Sequence, residues 1–422
     1  MPEPLPTDPY KGVRDFYPAD WALMNALFTT MRNTLRAWGY EEYNASPLER
    51  AELYEAKTSE EIVSEQTYTF TDRGDRRVTL RPEMTPTLAR MVAAKRREIP
   101  FPLRWFSIPN VFRYERPQKG RLREHYQLNV DLIGVSSTEA DIEVIMLASE
   151  LLKAFGAKES DFIIRVNSRA LLTAACAAVK LSEDTTRAYL HLLDKKAKMT
   201  PEAFEAARTA ITSEDPLTFI DNSSSAPEVA REKRALLGTI EALSKRSVGN
   251  ALFDPTLTRG FDYYTGIVFE IFDTNPANPR ALFGGGRFDK LVTLFGGDPI
   301  PAIGFGMGDV TLADFLETHG LLPKSDFGKP QLYLGTPTAA DIPTAQAFAK
   351  TLRKEGVRVF VNLADRALGD QVKDAVKRGI PLFIAYGANE TAGQTVRMKI
   401  LATSEEVVLP ISELTLRIRL DS

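Results

Sequence analysis

The segment FRYERPQKGRLREHYQLNVD, residues 112–131, decides how this chain is interpreted. Pro117 and Gly120 are turn-forming residues between two strand-like runs, so the segment predicts a β-hairpin. Side chains alternate between the two faces of a strand. Arg113 and Glu115 are therefore expected on one face of the outgoing strand.

This hairpin is rich in positive charge. Residues 113–123 contain five basic side chains and one acidic side chain. Guanidinium groups bind phosphate oxygens in a bidentate manner, so the segment predicts a site for a nucleotide triphosphate. The returning strand should place on one face the polar side chains of Gln127, Asn129 and Asp131. A solvated hairpin with ordinary surface charges is the alternative.

Composition places the chain in an ordinary class. It has 422 residues, of which 44% are hydrophobic and 26% are charged, which predicts a globular protein of two or three domains and excludes disorder. A formal net charge of −3 neither supports nor excludes RNA binding. Cys176 is the single cysteine, which excludes an intramolecular disulfide and a cysteine-rich metal site, and no protein-bound metal is predicted.

Neither end of the chain nor its middle predicts a membrane segment. Residues 1–4 lack a basic stretch followed by an apolar core, and no run approaches the roughly 18 apolar residues of a membrane span. We therefore expect a cytoplasmic protein without a membrane partner.

The first helix and the extended segment after it are both predicted from local signals. Asp20 is expected to cap a helix that ends near Gly39, because apolar residues recur three and four apart at Met24, Leu27, Phe28, Met31, Leu35 and Trp38. Pro47 then interrupts an extended segment. A central strand would not tolerate it, so an edge strand or an interface is expected, with a simple loop as the alternative.

The middle and the end of the chain differ from this first part. Residues 168–250 predict a helical insertion, with caps at Ser182 and Thr200, and strands resume near residue 251. Residues 321–330 are polar and contain Pro and Gly, which predicts a linker. Beyond the linker, strands alternate with helices, which predicts a small α/β domain with a mainly parallel sheet.

The segment RPEMTPT, residues 81–87, predicts a binding element for an ammonium group. Its two prolines favour a rigid turn that presents the carboxylate of Glu83 beside the hydroxyl of Thr85. A helix start is also expected here, with Thr85 as N-cap and Pro86 in the first turn.

Two later segments complete the set of candidate sites. RGFDYYTG, residues 259–266, places Arg259 beside two aromatic side chains, Tyr263 and Tyr264. The glycine-rich run AIGFGMG, residues 302–308, includes Gly306 and Gly308, which would let a ligand approach the backbone closely. That run is neither a Walker loop nor a Rossmann fingerprint, so it is weak evidence alone.

Taken in order, these segments resemble those of the histidyl-tRNA synthetases, a family of class II aminoacyl-tRNA synthetases. The resemblance implies that the arginine at 113 binds the α-phosphate of ATP and that Glu115 lies near adenine. Arg121, His125, Gly306 and Gly308 are the other residues we expect to contact ATP.

The same resemblance implies a set of residues for L-histidine. Glu83, Thr85 and Gln127 would hold the α-amino end of histidine, and Asp131 with Tyr264 would hold its ring. Arg259 would reach both the α-phosphate and the substrate carboxylate, which makes Arg113 and Arg259 the predicted catalytic residues. Tyr263 completes the predicted histidine site.

This chain departs from the family at the covers of the adenine. A Glu-Arg pair usually follows the last glycine-rich strand, whereas Val310 and Thr311 stand there in this sequence, and His125 stands where many members have phenylalanine. We expect modified ATP binding with retained activity. Arg121, Arg123 or Arg287 would then take over the γ-phosphate.

The resemblance covers nearly the whole chain and implies its fold and partners. It implies an α+β catalytic domain with an antiparallel sheet at residues 1–325, which contains the helical insertion, and a C-terminal α/β anticodon-binding domain at residues 331–422. ATP with Mg²⁺, L-histidine and tRNA(His) are the expected ligands, and a homodimer is expected. The alternatives are a catalytically silent paralogue, such as the histidine-sensing regulatory subunit of ATP phosphoribosyltransferase, and a general RNA-binding protein.

Overall fold

A computed structural model describes residues 4–55, 66–116, 120–222, 226–259, 263–323 and 328–421. The chain divides into two units, Met1–Pro323 and Lys324–Ser422. Part of the predicted hairpin tip, at residues 117–119, lies outside the described residues, and so do residues 260–262 and the linker residues 324–327. The ranges expected for the catalytic domain, residues 1–325, and for the anticodon-binding domain, residues 331–422, stay predictions.

The strands of the first unit are, in chain order, β1 (Glu41–Glu42), β2 (Leu48–Arg50), β3 (Tyr68–Thr71), β4 (Arg77–Leu80), β5 (Leu103–Ser107), β6 (Asn110–Phe112), β7 (Glu124–Ile133), β8 (Phe162–Ser168), β9 (Ala251–Phe253), β10 (Ile267–Asp273), β11 (Ala281–Arg287) and β12 (Ala302–Gly308). Among the described residues, the main sheet has the order β1-β5-β7-β12-β11-β10-β8-β9, and β6 pairs with β7. Its interior pairings are antiparallel, and only the outer pairs β1–β5 and β8–β9 are parallel. The predicted antiparallel catalytic fold is confirmed.

The helices of this unit are α1 (Pro18–Ala37), α2 (Glu52–Glu55), α3 (Thr85–Lys95), α4 (Thr138–Ala154), α5 (Arg169–Ala178), α6 (Glu183–Lys195), α7 (Pro201–Ile211), α8 (Leu217–Asp221), α9 (Pro227–Lys245) and α10 (Asp309–Thr318). Helices α5–α9 fill the chain between β8 and β9, where the sequence predicts helices. Ser182 and Thr200 cap α6 and α7 as expected, since their hydroxyls accept backbone hydrogen bonds. None of the described helices is both long and apolar enough to cross a membrane.

Helix α1 forms where the apolar spacing predicts it. Its buried face includes Leu27, Met31 and Leu35. These side chains pack into the core on the side of the sheet where helix α4 lies. Asp20 lies in the first turn instead of at the N-cap, because Pro18 already begins the helix. Its carboxylate accepts a hydrogen bond from the amide of Tyr17 at 3.2 Å, so it still satisfies a free donor of the helix start.

The chain between β1 and β5 forms a smaller antiparallel sheet, and Pro47 immediately precedes its first strand, β2. Its order is β2-β4-β3, so β2, which follows Pro47, is an edge strand. This agrees with the expectation that proline marks an edge. The outgoing strand of the predicted hairpin is shorter than expected, because β6 ends at Phe112 and Arg113 lies in irregular backbone.

The second unit contains β13 (Leu332–Gly335), α11 (Ile342–Lys354), β14 (Val359–Val361), α12 (Leu368–Lys377), β15 (Leu382–Ala385), α13 (Ala388–Gly393), β16 (Thr395–Ile400), β17 (Glu406–Pro410) and α14 (Ile411–Asp421). Its sheet has the order β14-β13-β15-β16-β17. The pairings of β13 are parallel, whereas β15–β16 and β16–β17 are antiparallel. The expectation of a mainly parallel sheet is therefore wrong, because the described strands pair as often antiparallel as parallel. The last two strands form a hairpin, which needs no crossover helix.

Candidate active site

A cleft in the first unit, here called the inner cavity, encloses about 520 Å³ of space that opens to solvent. Strands β7, β11 and β12 form its floor, and the turn before α3 and the segment before β10 form its walls. Every residue predicted to hold histidine lines it: Glu83, Thr85, Gln127, Asp131, Arg259, Tyr263 and Tyr264. Arg113 lines it as well. Residues far apart in the sequence are thus brought to one small cleft.

Glu83 is a buried carboxylate, with 4% of its surface exposed, at the start of the turn before α3. The phenol of Tyr263 donates a hydrogen bond to its Oε2 at 3.0 Å, and the phenol of Tyr54 donates to its backbone carbonyl at 3.2 Å. A buried carboxylate with oriented donors is suited to bind an ammonium group. Met84, not Thr85, is the N-cap of α3, so the expected capping by Thr85 is wrong and its side chain faces the cavity.

Asp131 is a second buried carboxylate, with 3% of its surface exposed, on β7. Burial raises its pKa to about 8. Gly304 on β12 lies opposite Asp131 in the sheet register, and a Cβ there would collide with the Asp131 carboxylate and the Val130 carbonyl. The glycine therefore leaves room for the acid, which explains part of the glycine-rich run.

Arg259 reaches the cavity across a second glycine-rich strand. Its guanidinium donates to the Phe269 carbonyl at 3.3 Å and lies 3.8 Å from Glu270. It also lies 5.7 Å from the centre of the Tyr264 ring. A Cβ at Gly284 on β11 would collide with this guanidinium. Neighbours on β10 therefore hold the Arg259 side chain in place. Gly284 on β11 has no side chain and so leaves space for the guanidinium.

A larger depression, here called the outer cavity, is continuous with the first and encloses about 2120 Å³ of space, much of it open to solvent. Arg113, Gln127 and Gly306 line both cavities. The Nε of Arg113 donates to the Pro82 carbonyl at 2.9 Å, which fixes the guanidinium at this junction. The residues predicted to bind ATP line the outer cavity: Arg113, Glu115, Arg121, His125, Gly306 and Gly308.

His125 offers a neutral ring to the outer cavity. Burial, together with the nearby charges of Arg113 and Arg14, lowers its pKa to about 3. An uncharged imidazole is a flat aromatic surface on which a base can stack. Arg121 lies 3.3 Å from the Glu115 carboxylate, so these two predicted residues form an ion pair at the cavity wall.

Two arginines that the sequence offers for the γ-phosphate are held elsewhere. Arg287 is buried and donates to Asp141 at 2.9 Å. Arg123 donates to the Glu115 carbonyl at 3.1 Å and lies 4.0 Å from the Tyr114 ring centre. Neither of them lines the outer cavity. Their assignment to the phosphate is therefore corrected, and Arg121 is the member of that set that does face the cavity.

Asp309 explains part of the unusual sequence that follows the last glycine-rich strand. It begins α10, is 2% exposed, and accepts hydrogen bonds from Arg14 at 2.6 Å and from the Tyr126 amide at 3.0 Å. An acid in the first turn of a helix is also stabilised by the helix dipole. Asp309 thus ties the N-terminal segment to β7.

The structure adds outer-cavity residues that sequence patterns did not reveal: Asp194, Lys198, Glu270 and Arg280. Asp194 and Lys198 come from the end of α6 and the turn after it, in the helical insertion. Nothing in their local pattern distinguishes them from solvated helix charges. Glu270 stands between apolar residues in the strand IVFEIFD, and a charged residue at that interior position is the signal that could have identified it.

Comparisons with known proteins agree with this geometry. Residues 12–310 match the sequence model of the histidyl-tRNA synthetases, and residues 332–419 match that of an anticodon binding domain. A histidine–tRNA ligase of Leptospira biflexa is 42% identical over 430 residues, which cover 98% of each chain. A histidine–tRNA ligase of Thermoplasma volcanium is 35% identical, with 96% of each chain covered.

Solved structures show the same fold. The histidyl-tRNA synthetase of Nostoc sp. PCC 7120 superposes with a TM-score of 0.78 at 24% identity, covering 98% of this chain and 99% of that one. A Bacillus halodurans protein described as an ATP phosphoribosyltransferase regulatory subunit/histidyl-tRNA synthetase superposes with a TM-score of 0.70 at 24% identity, covering 86% and 94%. The family match over most of the chain and the full-length relatives lead to one conclusion: this chain belongs to the histidyl-tRNA synthetase family of class II aminoacyl-tRNA synthetases.

Proposed function

We propose that this protein activates L-histidine with ATP and transfers the histidyl group to the 3′ end of tRNA(His). The observation that carries the proposal is the inner cavity, which brings two buried carboxylates, Glu83 and Asp131, together with two arginines, Arg113 and Arg259. Histidine offers an ammonium group and a ring N–H as donors and a carboxylate as an acceptor. The cavity supplies a counterpart for each of these groups.

The proposed positions of histidine follow from the hydrogen bonds of the cavity. Glu83 would accept from the α-ammonium group, with Tyr263 fixing the carboxylate at 3.0 Å and Thr85 and Gln127 beside it. The Oε1 of Gln127 is buried and has no hydrogen-bond partner among the residues that the structure describes, so it can accept from the ligand. Asp131 would bind the imidazole N–H, and Tyr264 would pack against the ring.

The proposed reaction needs positioning and charge stabilisation more than proton transfer. A carboxylate oxygen of histidine would attack the α-phosphorus of ATP, the bond to the β-phosphate oxygen would break, and pyrophosphate would leave. Arg113 stands at the junction of the two cavities, where the attacked phosphorus must lie, and Arg259 enters from the other wall. Both guanidinium groups would stabilise the negative charge that develops there. A hydroxyl of the terminal ribose of tRNA would then attack the histidyl carbonyl, the bond from that carbonyl to the phosphate oxygen would break, and AMP would leave with the hydroxyl proton released to solvent.

ATP would occupy the outer cavity and bring Mg²⁺ with it as part of the substrate. Mg²⁺ is bound by phosphate and carboxylate oxygens, and the carboxylates of Glu115 and Glu270 line this cavity, so the donor set fits. His125 would offer its neutral ring to the adenine. Magnesium would offset charge on the β- and γ-phosphates while the protein orients the α-phosphate.

The partners belong to the same proposal. The second unit would bind the anticodon of tRNA, which is supported by the match of residues 332–419 to an anticodon binding domain. A homodimer is proposed from the resemblance of the Pro47 segment to the dimer motif of class II enzymes, and Pro47 precedes an edge strand. A cytoplasmic location follows from the role in protein synthesis.

A histidine-sensing regulatory subunit is not favoured. Full-length relatives at 35–42% identity carry the name histidine–tRNA ligase, and an anticodon binding domain follows the catalytic region. The sequence feature that best supports the silent paralogue is Thr311, which stands where family members usually have an arginine. A general RNA-binding protein would leave the two buried carboxylates of the inner cavity without a role.

Histidine-dependent ATP–pyrophosphate exchange tests the proposal, together with charging of tRNA(His) transcript. The wild-type protein should exchange pyrophosphate only when histidine is present and should form histidyl-tRNA. Arg259→Ala should lose exchange while still binding histidine weakly. Wild-type protein that binds histidine without exchange would contradict the proposal and restore the sensor.

A further inference from the structure

The start of α10 contributes no cation to the outer cavity, because the residues that line it there are Val310 and Thr311. A nucleoside triphosphate carries about four negative charges near neutral pH, and its β- and γ-phosphates must be neutralised for binding. The described cations that line this cavity are Arg113, Arg121, Lys198 and Arg280. One or more of these cations must bind the β- and γ-phosphates.

Arg280 lies beside the place where Thr311 faces the cavity. A Cβ built on Gly120 would be 3.8 Å from the Arg280 Nη1 and 3.9 Å from the Thr311 Cγ2. Both side chains therefore approach one point next to the basic hairpin. An arginine from the segment before β11 thus stands next to the neutral side chain from α10.

The backbone that carries Arg280 is anchored. Asn278 is 8% exposed, and its Nδ2 donates to the Asp273 carboxylate at 2.8 Å and to the Thr318 hydroxyl at 3.0 Å. On the other side of Arg280, the Thr311 hydroxyl donates to the Leu282 carbonyl at 2.7 Å. These hydrogen bonds join the chain on both sides of Arg280 to α10, so little of the binding free energy of a ligand is needed to order the backbone there.

We propose that Arg280 is the arginine that binds the β- and γ-phosphates of ATP in this protein. Arg113 lies at the junction of the two cavities, in a position to bind the α-phosphate. Arg280 lines the outer cavity but not the inner one. Arg280 is preferred to Arg121, which lies 3.3 Å from Glu115, because it lies beside Thr311, at the position where other family members have an arginine. His125, a neutral ring, suits the adenine, which leaves the pyrophosphate portion for the guanidinium of Arg280.

In this arrangement Thr311 has a structural part. Its hydroxyl holds β11 against α10, and an arginine side chain at 311 would enter the space beside Arg280. In this arrangement the phosphate-binding cation comes from the segment before β11 instead of from the helix. This inference rests on the proposed use of ATP, and it assigns that use to a residue that local sequence patterns do not distinguish.

Direct binding of ATP and of AMP to the full-length protein, measured by calorimetry, tests the proposal. Arg280→Ala should weaken ATP binding about tenfold or more, since one charge-assisted contact is lost, and should leave AMP binding within about twofold. Arg280→Lys should recover part of the ATP affinity. In pyrophosphate exchange, Arg280→Ala should raise the KM for ATP and leave the KM for histidine unchanged.

Two control variants show whether the effect is specific to position 280. Arg76→Ala removes an exposed arginine at the β3–β4 turn and should match wild type. Adding Thr311→Arg to Arg280→Ala should restore ATP binding if the two positions serve one site. Equal ATP affinity in wild type and Arg280→Ala would overturn the proposal, as would an equal loss of ATP and AMP. Wild type that binds ATP without exchange would instead refute the proposed function.

Discussion

The inner and outer cavities differ in how their polar groups are held. The inner cavity is small, and its carboxylates are 3–4% exposed and set among strands and fixed phenols. The outer cavity is about four times larger by enclosed space, and its walls are a hairpin, a helix end and a loop. The two share Arg113, Gln127 and Gly306.

This difference shows where the chain tolerates change. A side chain in the inner cavity is confined by sheet register, so its replacement leaves a buried polar partner unsatisfied, which is costly. A side chain at the outer wall can be replaced by a neighbour that reaches the same ligand. The departures at His125, Val310 and Thr311 lie at the outer cavity. The departure at the inner cavity is Asp131, where many family members have glutamate, and it keeps the carboxyl group.

The largest effect is expected at Arg113, one of the three residues that line both cavities. Arg113→Ala should lower kcat for pyrophosphate exchange by about a hundredfold to a thousandfold, because it removes a cation from the developing charge at the α-phosphate. Single-turnover formation of the adenylate measures this. Arg113→Lys should keep a larger fraction of the rate, and a kcat close to wild type for the alanine variant would remove Arg113 from the reaction.

A pair of glycine substitutions on β12 compares the two cavities within one strand. A Cβ at Gly306 would lie 2.6 Å from the Gln127 Nε2, whereas a Cβ at Gly308 would lie 3.7 Å from the His125 ring. Gly306→Ala should displace Gln127 and raise the KM for histidine about tenfold. Gly308→Ala should change either KM by less than about twofold, and equal effects of the two variants would show that the cavities do not differ in tolerance.

Asp131 should make the stability of the protein depend on pH. Burial raises its pKa from 3.8 to about 8, so the folded protein keeps a proton that the unfolded chain has lost between these values. The free energy of unfolding contributed by this group is therefore highest below pH 4 and falls as the pH rises towards 8. Asp131→Asn cannot ionise and should gain stability relative to wild type over this window.

Thermal unfolding of the ligand-free protein measures that gain. The Tm of Asp131→Asn minus that of wild type should rise by about 2 °C per pH unit between pH 5 and 8 and then level off. Asp298→Asn, at an exposed position, controls for the loss of a carboxylate. A constant difference in Tm across the window would show that Asp131 is ionised throughout.

The smallest effect is expected at the adenine face. His125 is neutral above its pKa of about 3, so its contribution to ATP binding should not change between pH 5 and 8. His125→Phe should keep the KM for ATP within about threefold, because a flat ring remains. A titration calorimetry series over pH checks this, and a steep fall in wild-type affinity across pH 6–7 that is absent from the variant would contradict it.

The inner cavity could largely be predicted because its residues lie in short segments with unusual chemistry. Period-two alternation placed Gln127 and Asp131 on one face of β7, and both line the cavity. The prolines around Glu83 predicted the turn, although not that Met84 would take the N-cap. The roles of these residues in binding remain predictions.

The outer cavity could not be predicted to the same extent. Arg123 and Arg287 were as plausible as Arg121 by sequence position, but each is held by a partner from another part of the chain. Arg280 lies in a loop with no pattern of its own, and its position depends on hydrogen bonds from Asn278 and Thr311. Such contacts have no signature in the local sequence.

The amino-acid sequence by itself determined the helical insertion and the strand faces, because strand alternation, helix periodicity and turn residues act over a few positions. Its resemblance to a known family implied the fold class and the side chains that form the inner cavity. Only the tertiary structure decided which cations face the outer cavity and how strongly Asp131 and His125 are desolvated. These properties depend on what packs around each group. That surrounding comes from strands and helices that are distant in the chain, so it exists only once the sheet has formed.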